Sequence, residues 1–462
     1  MGFSDKIAQY RAWRRGVVHC TFNPGGPGVV RIHLLPPKFR LFGSAPYLAI
    51  LNGYYILPVG SSAALLLSYF IDEVSATVGT DESNSEITEL MLERAVKRAA
   101  KVYPAVDRSY LKNDLLDMLD VITSVARGEG TDVEIEKLSV RNYQKLMYAP
   151  HRMDLMVSAM TDECGKWKCN QHCIFCYAKG QSFSGVAEMT TQQWCAAIDK
   201  LRAAGVPMLT FTGGEPTERE DIVELVGYAK WFVTRLNTNG INVTSELASA
   251  LREASLDSMQ ITFYSSDKNI HNTLVGGDHY DATVAGIKNA VAAGLDVSVN
   301  TPLCKLNRDY GKTLMMLHSL GVRFVTLSGL ISAGAATDKS ESYDLCEDEL
   351  YAIVKEAKAL CDELGMEMDF TSPGLISYER LEKIGLNVPS CGAALSNMAI
   401  APDGTVVPCQ SWLGADASLG NILEDKFSDI WNSSLARKLR GMSSSEALSC
   451  PFRAVKGGDS RD

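Results

Sequence analysis

Three cysteines on one short segment are the first residues in this chain able to do chemistry. Cys169, Cys173 and Cys176 stand in the run Cys-Asn-Gln-His-Cys-Ile-Phe-Cys-Tyr. A thiolate is both a nucleophile and a soft metal ligand. Three of them on one tight loop can hold three irons of a [4Fe–4S] cube, leaving the fourth iron open to a further ligand. The same residues could instead form a tetrahedral zinc site, with Cys164 or His172 as the fourth ligand.

A second group is Thr212-Gly213-Gly214-Glu215-Pro216. Paired glycines let the backbone approach a ligand closely, and the carboxylate can accept hydrogen bonds from an ammonium. Read alone, it is equally a strand-ending turn. A third group is Cys391-x12-Gly404-x4-Cys409, followed further on by Cys450. Pro402-Asp403-Gly404-Thr405 predicts a hairpin turn that would draw Cys391 and Cys409 together. The plain alternative is scattered buried thiols. Cys20, Cys195, Cys346 and Cys361 have no metal spacing, and the last three fall in helical runs, as small core residues do. Cys304 lies just beyond a predicted strand, where its thiol could donate a hydrogen atom to a substrate radical or simply pack in the core.

Positioning these groups takes a chain of some size. The 462 residues, 46% of them hydrophobic, suffice for two or three domains, each with a core of its own. Net charge is −10 and no long Lys/Arg block occurs, so nucleic acid is not an expected partner. The opening MGFSDKIAQYRAWRRG has no apolar signal core, which predicts a reducing, cytoplasmic setting where the twelve cysteines are thiols or metal ligands. The one stretch resembling a membrane span, 48–71, is interrupted by Asn52, Gly53, Pro58, Gly60, Ser61 and Ser62, and reads as a strand followed by a helix; no membrane association is expected.

Hydrophobic periodicity divides the chain into three. The first region has short β-like runs at 28–35 and 47–57, then helices at 61–77, 86–102 and 109–127, a pattern that suggests a winged-helix module (1–135); the charged segment 128–137 reads as a linker. From Leu155 six β-then-α units alternate, with strands predicted at 155–161, 208–212, 232–237, 258–264, 297–303 and 323–327. Thr190 and Gln193 are spaced as a capping box at the start of the helix 191–204. The expected fold is α/β, a partial (β/α)6 barrel of TIM type over 150–345, with active-site groups at the carboxyl ends of its strands. Thr238-Asn239-Gly240, Ser265-Ser266 and Asn300-Thr301 fall at such ends, although each is also an ordinary turn. A small α+β domain (346–462) would close the chain, with the part from Cys391 to Cys450 richer in Gly, Pro and Ser.

The cysteine spacing, with the aromatic Phe175 just before the third cysteine, resembles the radical S-adenosylmethionine (SAM) superfamily, and Gly213 to Pro216 resembles that family's Gly-Gly-Glu-Pro motif. The resemblance implies a [4Fe–4S] cluster on Cys169, Cys173 and Cys176, with SAM chelating the open iron. It further implies Phe175 near the adenine, Gly213, Gly214 and Glu215 at the SAM amino group, and Asn239, Ser265 and Asn300 toward ribose and the methionine carboxylate. The segment 162–168, which adds Cys164, is longer than usual for the family.

The segment around Cys391 and Cys409, with Gly420-Asn421-Ile422 and Ile430-Trp431, resembles the opening of the SPASM domain. Only Cys450 remains of that domain's dense later cysteine cluster, so a shortened, twitch-like version with one auxiliary iron–sulfur cluster on Cys391, Cys409 and Cys450 is expected. Leu51-Asn52-Gly53, the apolar helix 63–71, Val102-Tyr103-Pro104 and Asn113 to Leu116 resemble the RiPP recognition element. That resemblance implies a precursor peptide whose leader adds as a strand to an exposed sheet edge, and the radical SAM resemblance a reducing donor such as flavodoxin or ferredoxin. The product would be a crosslink, an epimerised centre or another oxidised C–H position. The alternatives are a maturase of a small molecule such as a haem precursor, and a non-catalytic zinc or iron–sulfur protein.

Overall fold

The computed structural model describes residues 10, 14–22, 30–37, 46–52, 55–77, 89–126, 144, 147–337 and 340–445. The chain divides into two compact units, Met1–Ala149 and Pro150–Asp462.

In the first unit, β1 (Val18–Phe22), β2 (Val30–Leu35), β3 (Tyr47–Leu51) and β4 (Tyr55–Val59) form an antiparallel sheet in the order β1-β2-β3-β4. The single β-like run read at 47–57 is a hairpin of two strands, turning where Asn52 adopts a positive φ of 51°. The Asn52 side chain holds that turn by accepting from the Arg31 amide at 2.8 Å. Three helices follow, α1 (Ser61–Thr77), α2 (Glu89–Ala100) and α3 (Arg108–Ala126). Their apolar faces (Leu67, Phe70, Leu92, Leu115, Leu119) bury against Phe22, Ile32 and Leu51 of the sheet in one core. The start of the run at 28, the linker 128–137 and Gly53 lie outside the described residues.

The second unit is built on a ten-stranded sheet. Six parallel strands, β5 (Arg152–Ser158), β6 (Met208–Gly213), β7 (Val233–Thr238), β8 (Ser258–Thr262), β9 (Asp296–Pro302) and β10 (Phe324–Ser328), stand side by side in chain order. Between them run α4 (Thr191–Ala204), α5 (Ile222–Tyr228), α6 (Ser245–Glu253), α7 (Lys268–Val275), α8 (Tyr280–Ala292) and α9 (Gly311–Ser319). The capping box at the head of α4 is present: Gln193 N donates to Thr190 Oγ1 at 3.3 Å and Thr190 N to Gln193 Oε1 at 2.8 Å. A seventh parallel strand, β11 (Glu367–Phe370), follows the helix α10 (Glu347–Leu364) and extends the sheet beyond β10.

Two readings change. The first strand lies at 152–158 rather than 155–161, because the chain after Ser158 turns into a hairpin closed by a Thr161–Trp167 bridge. The carboxyl-terminal region also continues the same sheet through position 346: β12 (Asn397–Ile400) pairs in parallel with β5, and β13 (Thr405–Val407) and β14 (Gly420–Asn421) follow antiparallel. The turn at 402–405 is the β12–β13 hairpin, with Gly404 at φ +89°.

Along the strands, polar and apolar residues alternate. Leu155, Phe211, Leu236, Ile261, Val299 and Val325 are buried on one face, while Thr210, Arg235 and Ser258, or Thr262, Asn300 and Thr326, fall in register on the other. A fully covered parallel strand reads as continuous apolar sequence. This alternation therefore marks a sheet with a polar face suited to a polar ligand.

Candidate active site

The loop after β5 carries the three cysteines, and the surrounding elements brace it. Trp167 stacks on His172 at 5.0 Å between ring centres, and its Nε1 donates to Gln171 O at 2.8 Å. His172 N and Ile174 N donate to Val275 O and Leu274 O, both at 3.0 Å, zipping the loop to the end of α7. The contact is tight: a Cβ on Gly276, at φ +71°, would lie 2.4 Å from His172 O. Beyond the triad, Ala335 N donates to Cys176 O at 3.0 Å, and a Cβ on Gly334, at φ +59°, would meet Tyr177 O at 2.2 Å.

The three thiols are free and share one buried region with Glu215. Burial pushes Cys169 up to about 12, the Glu215 and Cys176 charges adding to the rise. Burial also raises Cys173, reinforced by Cys176 and Cys169, and raises Cys176. Iron cations would relieve this crowding of negative charge by displacing the protons. Cys164 is exposed in the Thr161–Trp167 hairpin and His172 is engaged with Trp167. Among the described residues, no three His, Cys, Asp or Glu side chains are grouped as ligands of a single metal ion.

Glu215 is 1% exposed and ends the turn after β6. Its Oε1 accepts from Thr217 N at 3.0 Å and from Thr217 Oγ1 and Thr238 Oγ1, both at 2.6 Å. Among the described residues its Oε2 accepts only from Asn239 N, at 2.8 Å, and it retains capacity for another donor. Burial raises this carboxyl and the four hydrogen bonds oppose the rise. Asn239 Nδ2 donates to Asn170 Oδ1 at 2.6 Å, which ties the carboxylate to the residue beside Cys169. Asn170 Nδ2 and Gln171 Nε2 are buried with no hydrogen-bond partner, two amide donors in the triad loop. Buried donors of this kind call for a partner, water or ligand. A [4Fe–4S] cluster and the ammonium of SAM fit the donor set: three thiols, a carboxylate oxygen with spare capacity, and orphaned amides.

The glycines of the Gly-Gly-Glu-Pro run serve the sheet first. A Cβ on Gly213 (φ +143°) would sit 2.3 Å from Ser158 O, and one on Gly214 2.7 Å from Ala159 O, so both are required by close passage over the end of β5.

Phe175 is buried, edge-on to Tyr343 at 5.3 Å, in a cluster with Tyr264, Leu274, Cys173 and Cys304. Cys304 is thus brought to the triad's neighbourhood, its thiol raised by burial. Ser265 and Asn300 are engaged locally: Ser265 Oγ accepts from Asp267 N at 3.1 Å and Asn300 Oδ1 from Thr326 Oγ1 at 3.0 Å. Neither has a described hydrogen bond to the triad loop or to Glu215.

Cys409 packs in the same apolar cluster as Cys169 and Cys176. Cys391 lies on the neighbouring segment, where Ala394 N donates to Pro408 O at 3.0 Å. Cys450 lies outside the described residues. Cys346, read as a helix core residue, is exposed at the N-cap of α10, and Cys195 is half-buried. Asn170 and Thr217 are not singled out by the sequence, where nearness to Cys169 and Glu215 is the available signal, while Thr238, read there as part of a strand-end group, proves to bond Glu215 directly.

A parallel-strand α/β sheet, a three-thiol loop after its first strand and a buried carboxylate after the second fit a radical SAM domain. Residues 168–317 match the radical SAM superfamily and residues 391–451 match the SPASM iron–sulfur cluster-binding domain. The chain therefore uses a [4Fe–4S] cluster and SAM, and its SPASM domain indicates auxiliary iron–sulfur clusters. Among curated proteins it is similar to Fe-coproporphyrin III synthase of Methanosarcina barkeri, 26% identical over 61% of this chain and 75% of that protein. It is also similar to the AdoMet-dependent heme synthase of the same organism, 27% identical over 59% and 82%. Its fold resembles Streptococcus suis SuiB, solved bound to the precursor peptide SuiA, with a TM-score of 0.61 and 14% identity over 90% of this chain and 94% of SuiB. Among the described residues, no helix is long and apolar enough to cross a membrane.

Proposed function

We propose that the chain modifies a ribosomally made precursor peptide by radical chemistry. When bound, the cluster and SAM supply a 5′-deoxyadenosyl radical that removes a hydrogen atom from the substrate. Cys169, Cys173 and Cys176 hold the cluster, and Glu215 Oε2 takes the SAM ammonium while its other oxygen stays locked by three donors. Asn239 keeps that carboxylate in register with the triad loop, Phe175 offers an apolar wall toward the adenine, and Gly213 and Gly214 keep the Glu215 turn against β5. Ser265 and Asn300 shape the strand ends around SAM. Cys391, Cys409 and Cys450 ligate the auxiliary cluster, and Cys304 returns a hydrogen atom to the substrate radical, the thiyl radical left on it being reduced by one electron from the reducing partner and one proton from water. The electron comes from a small reducing protein of flavodoxin or ferredoxin type.

The observation that carries the peptide reading is the first unit, with its four-stranded sheet. Its edge strand β4 is half-exposed along its whole length, a template to which an extended leader peptide can add. The winged-helix and recognition-element assignment of 1–135 rests on this sheet and its three helices. The SuiB resemblance spans 90% of the chain, whereas the two haem-related relatives match 61% and 59% of it.

A second reading, conversion of a haem precursor, is favoured by those relatives' names. Coexpression with a precursor peptide encoded nearby, followed by mass spectrometry, separates the two. A SAM-dependent mass change in the peptide is expected. An unmodified peptide, with turnover of an iron porphyrin instead, would overturn the peptide reading.

A further inference from the structure

One side chain joins the two cysteine-bearing loops. Gln181 lies five residues beyond Cys176, and its amide makes three hydrogen bonds. Nε2 donates to Tyr177 O at 2.7 Å and to Ser411 O at 3.1 Å, while Oε1 accepts from Leu413 N at 2.9 Å. Phe183 N adds a main-chain bond to Leu413 O at 2.9 Å. The partners on one side follow Cys176 directly, and those on the other follow Cys409. The facing surfaces are apolar, with Tyr177, Phe183, Trp412 and Leu413 packed around Cys169, Cys176 and Cys409. Apolar packing sets how close two loops come but not their register. Three directional bonds from one planar amide set register.

We propose that Gln181 is the positioning residue that fixes the spacing and magnetic coupling between the triad cluster and the auxiliary cluster. It acts through the loops, not by touching either cluster. The proposal rests on the reading that Cys409 ligates the auxiliary cluster. Gln181→Leu removes all three bonds and leaves the apolar packing. Gln181→Glu keeps the acceptor for Leu413 N but turns an oxygen toward two carbonyl oxygens, so the loops are pushed apart.

The test uses the full chain, reconstituted anaerobically with iron and sulfide and reduced with titanium(III) citrate. Iron content and the microwave-power saturation of the triad cluster's electron paramagnetic resonance signal are measured for the parent, Gln181→Leu, Gln181→Glu and Cys409→Ala. The parent signal should relax fast because a second paramagnet lies at fixed distance. Gln181→Leu and Gln181→Glu should keep the parent's iron while the half-saturation power falls at least threefold, toward the Cys409→Ala value, and more in Gln181→Glu. A parent-like half-saturation power in both Gln181 variants at full iron would overturn the proposal. Should Gln181→Leu lose iron through misfolding, Gln181→Met, of nearly the same shape, supplies the reading. Cys409→Ala separates the underlying assumption: full iron retention in that variant sinks the ligand assignment whatever the Gln181 variants show.

Discussion

Gly334→Ala should loosen the triad cluster without unfolding the protein, and Gly365→Ala is its matched control. Both glycines sit in the left-handed region, at φ +59° and +64°. An alanine at either position therefore carries a similar backbone cost of about 1–2 kcal/mol. The surroundings differ. A Cβ on Gly365, at the end of α10, meets nothing within 4 Å, whereas one on Gly334 would lie 2.2 Å from Tyr177 O and 2.6 Å from Cys176 O.

Relief of that clash requires the loop 334–336 and the Cys176 segment to part by about 1 Å to regain ordinary contact. The Ala335 N to Cys176 O bond at 3.0 Å is then lost. That bond is worth about 1 kcal/mol, and displacing the third thiolate adds a comparable amount. An excess of about 2 kcal/mol at the site corresponds to roughly 30-fold weaker retention of the cluster. The assay is iron release from reconstituted protein to a chelator, run beside urea unfolding. Gly334→Ala should lose iron about 30-fold faster than Gly365→Ala, with a urea midpoint lower by at most about 1 M. Equal release rates in the two variants would refute the claim that Gly334 holds the triad loop.

Glu215→Gln removes the charge and turns an amide donor toward either Asn239 N or the Thr217 and Thr238 hydroxyls. Loss of a charge-assisted bond of about 1.5–3 kcal/mol predicts SAM binding weaker by roughly 10–100-fold at unchanged iron, read by calorimetric titration; parent-like affinity would remove Glu215 from the SAM site. His271 is buried, and burial, with the nearby His279 charge, lowers it to about 4 against an ordinary 6.5. Between those values the unfolded chain binds the proton and the folded one does not. Its stabilising contribution is thus complete above pH 6.5 and is lost as pH falls toward 4, at up to about 1.4 kcal/mol per pH unit. Urea midpoints of His271→Phe should fall less steeply from pH 6.5 to 4.5 than the parent's; identical slopes would exclude His271 as the titrating group.

What the sequence made legible follows how local each determinant is. Thr190 and Gln193 act within one helical turn, and α4 starts where their spacing places it. The helix 61–77 likewise has the bounds its periodicity predicts. The triad and the Gly-Gly-Glu-Pro run each lie on one loop, so their chemistry could be read before their surroundings. Pairings between distant segments could not. Nothing local in 397–400 announces a strand that pairs with β5, about 245 residues earlier. Asn239 reads as a turn residue, and its bond to Asn170 exists only because β5 and β7 flank β6. Gly213 and Gly214 were legible as glycines that something must approach, but that something is the backbone of β5 as much as any ligand.

The most direct test of the account is formation of 5′-deoxyadenosine from SAM by the anaerobically reconstituted, reduced full chain, compared with Cys173→Ala. The parent should form 5′-deoxyadenosine, and Cys173→Ala none above background. A cluster-loaded parent that leaves SAM intact, or a Cys173→Ala variant that cleaves it as well as the parent does, would contradict it.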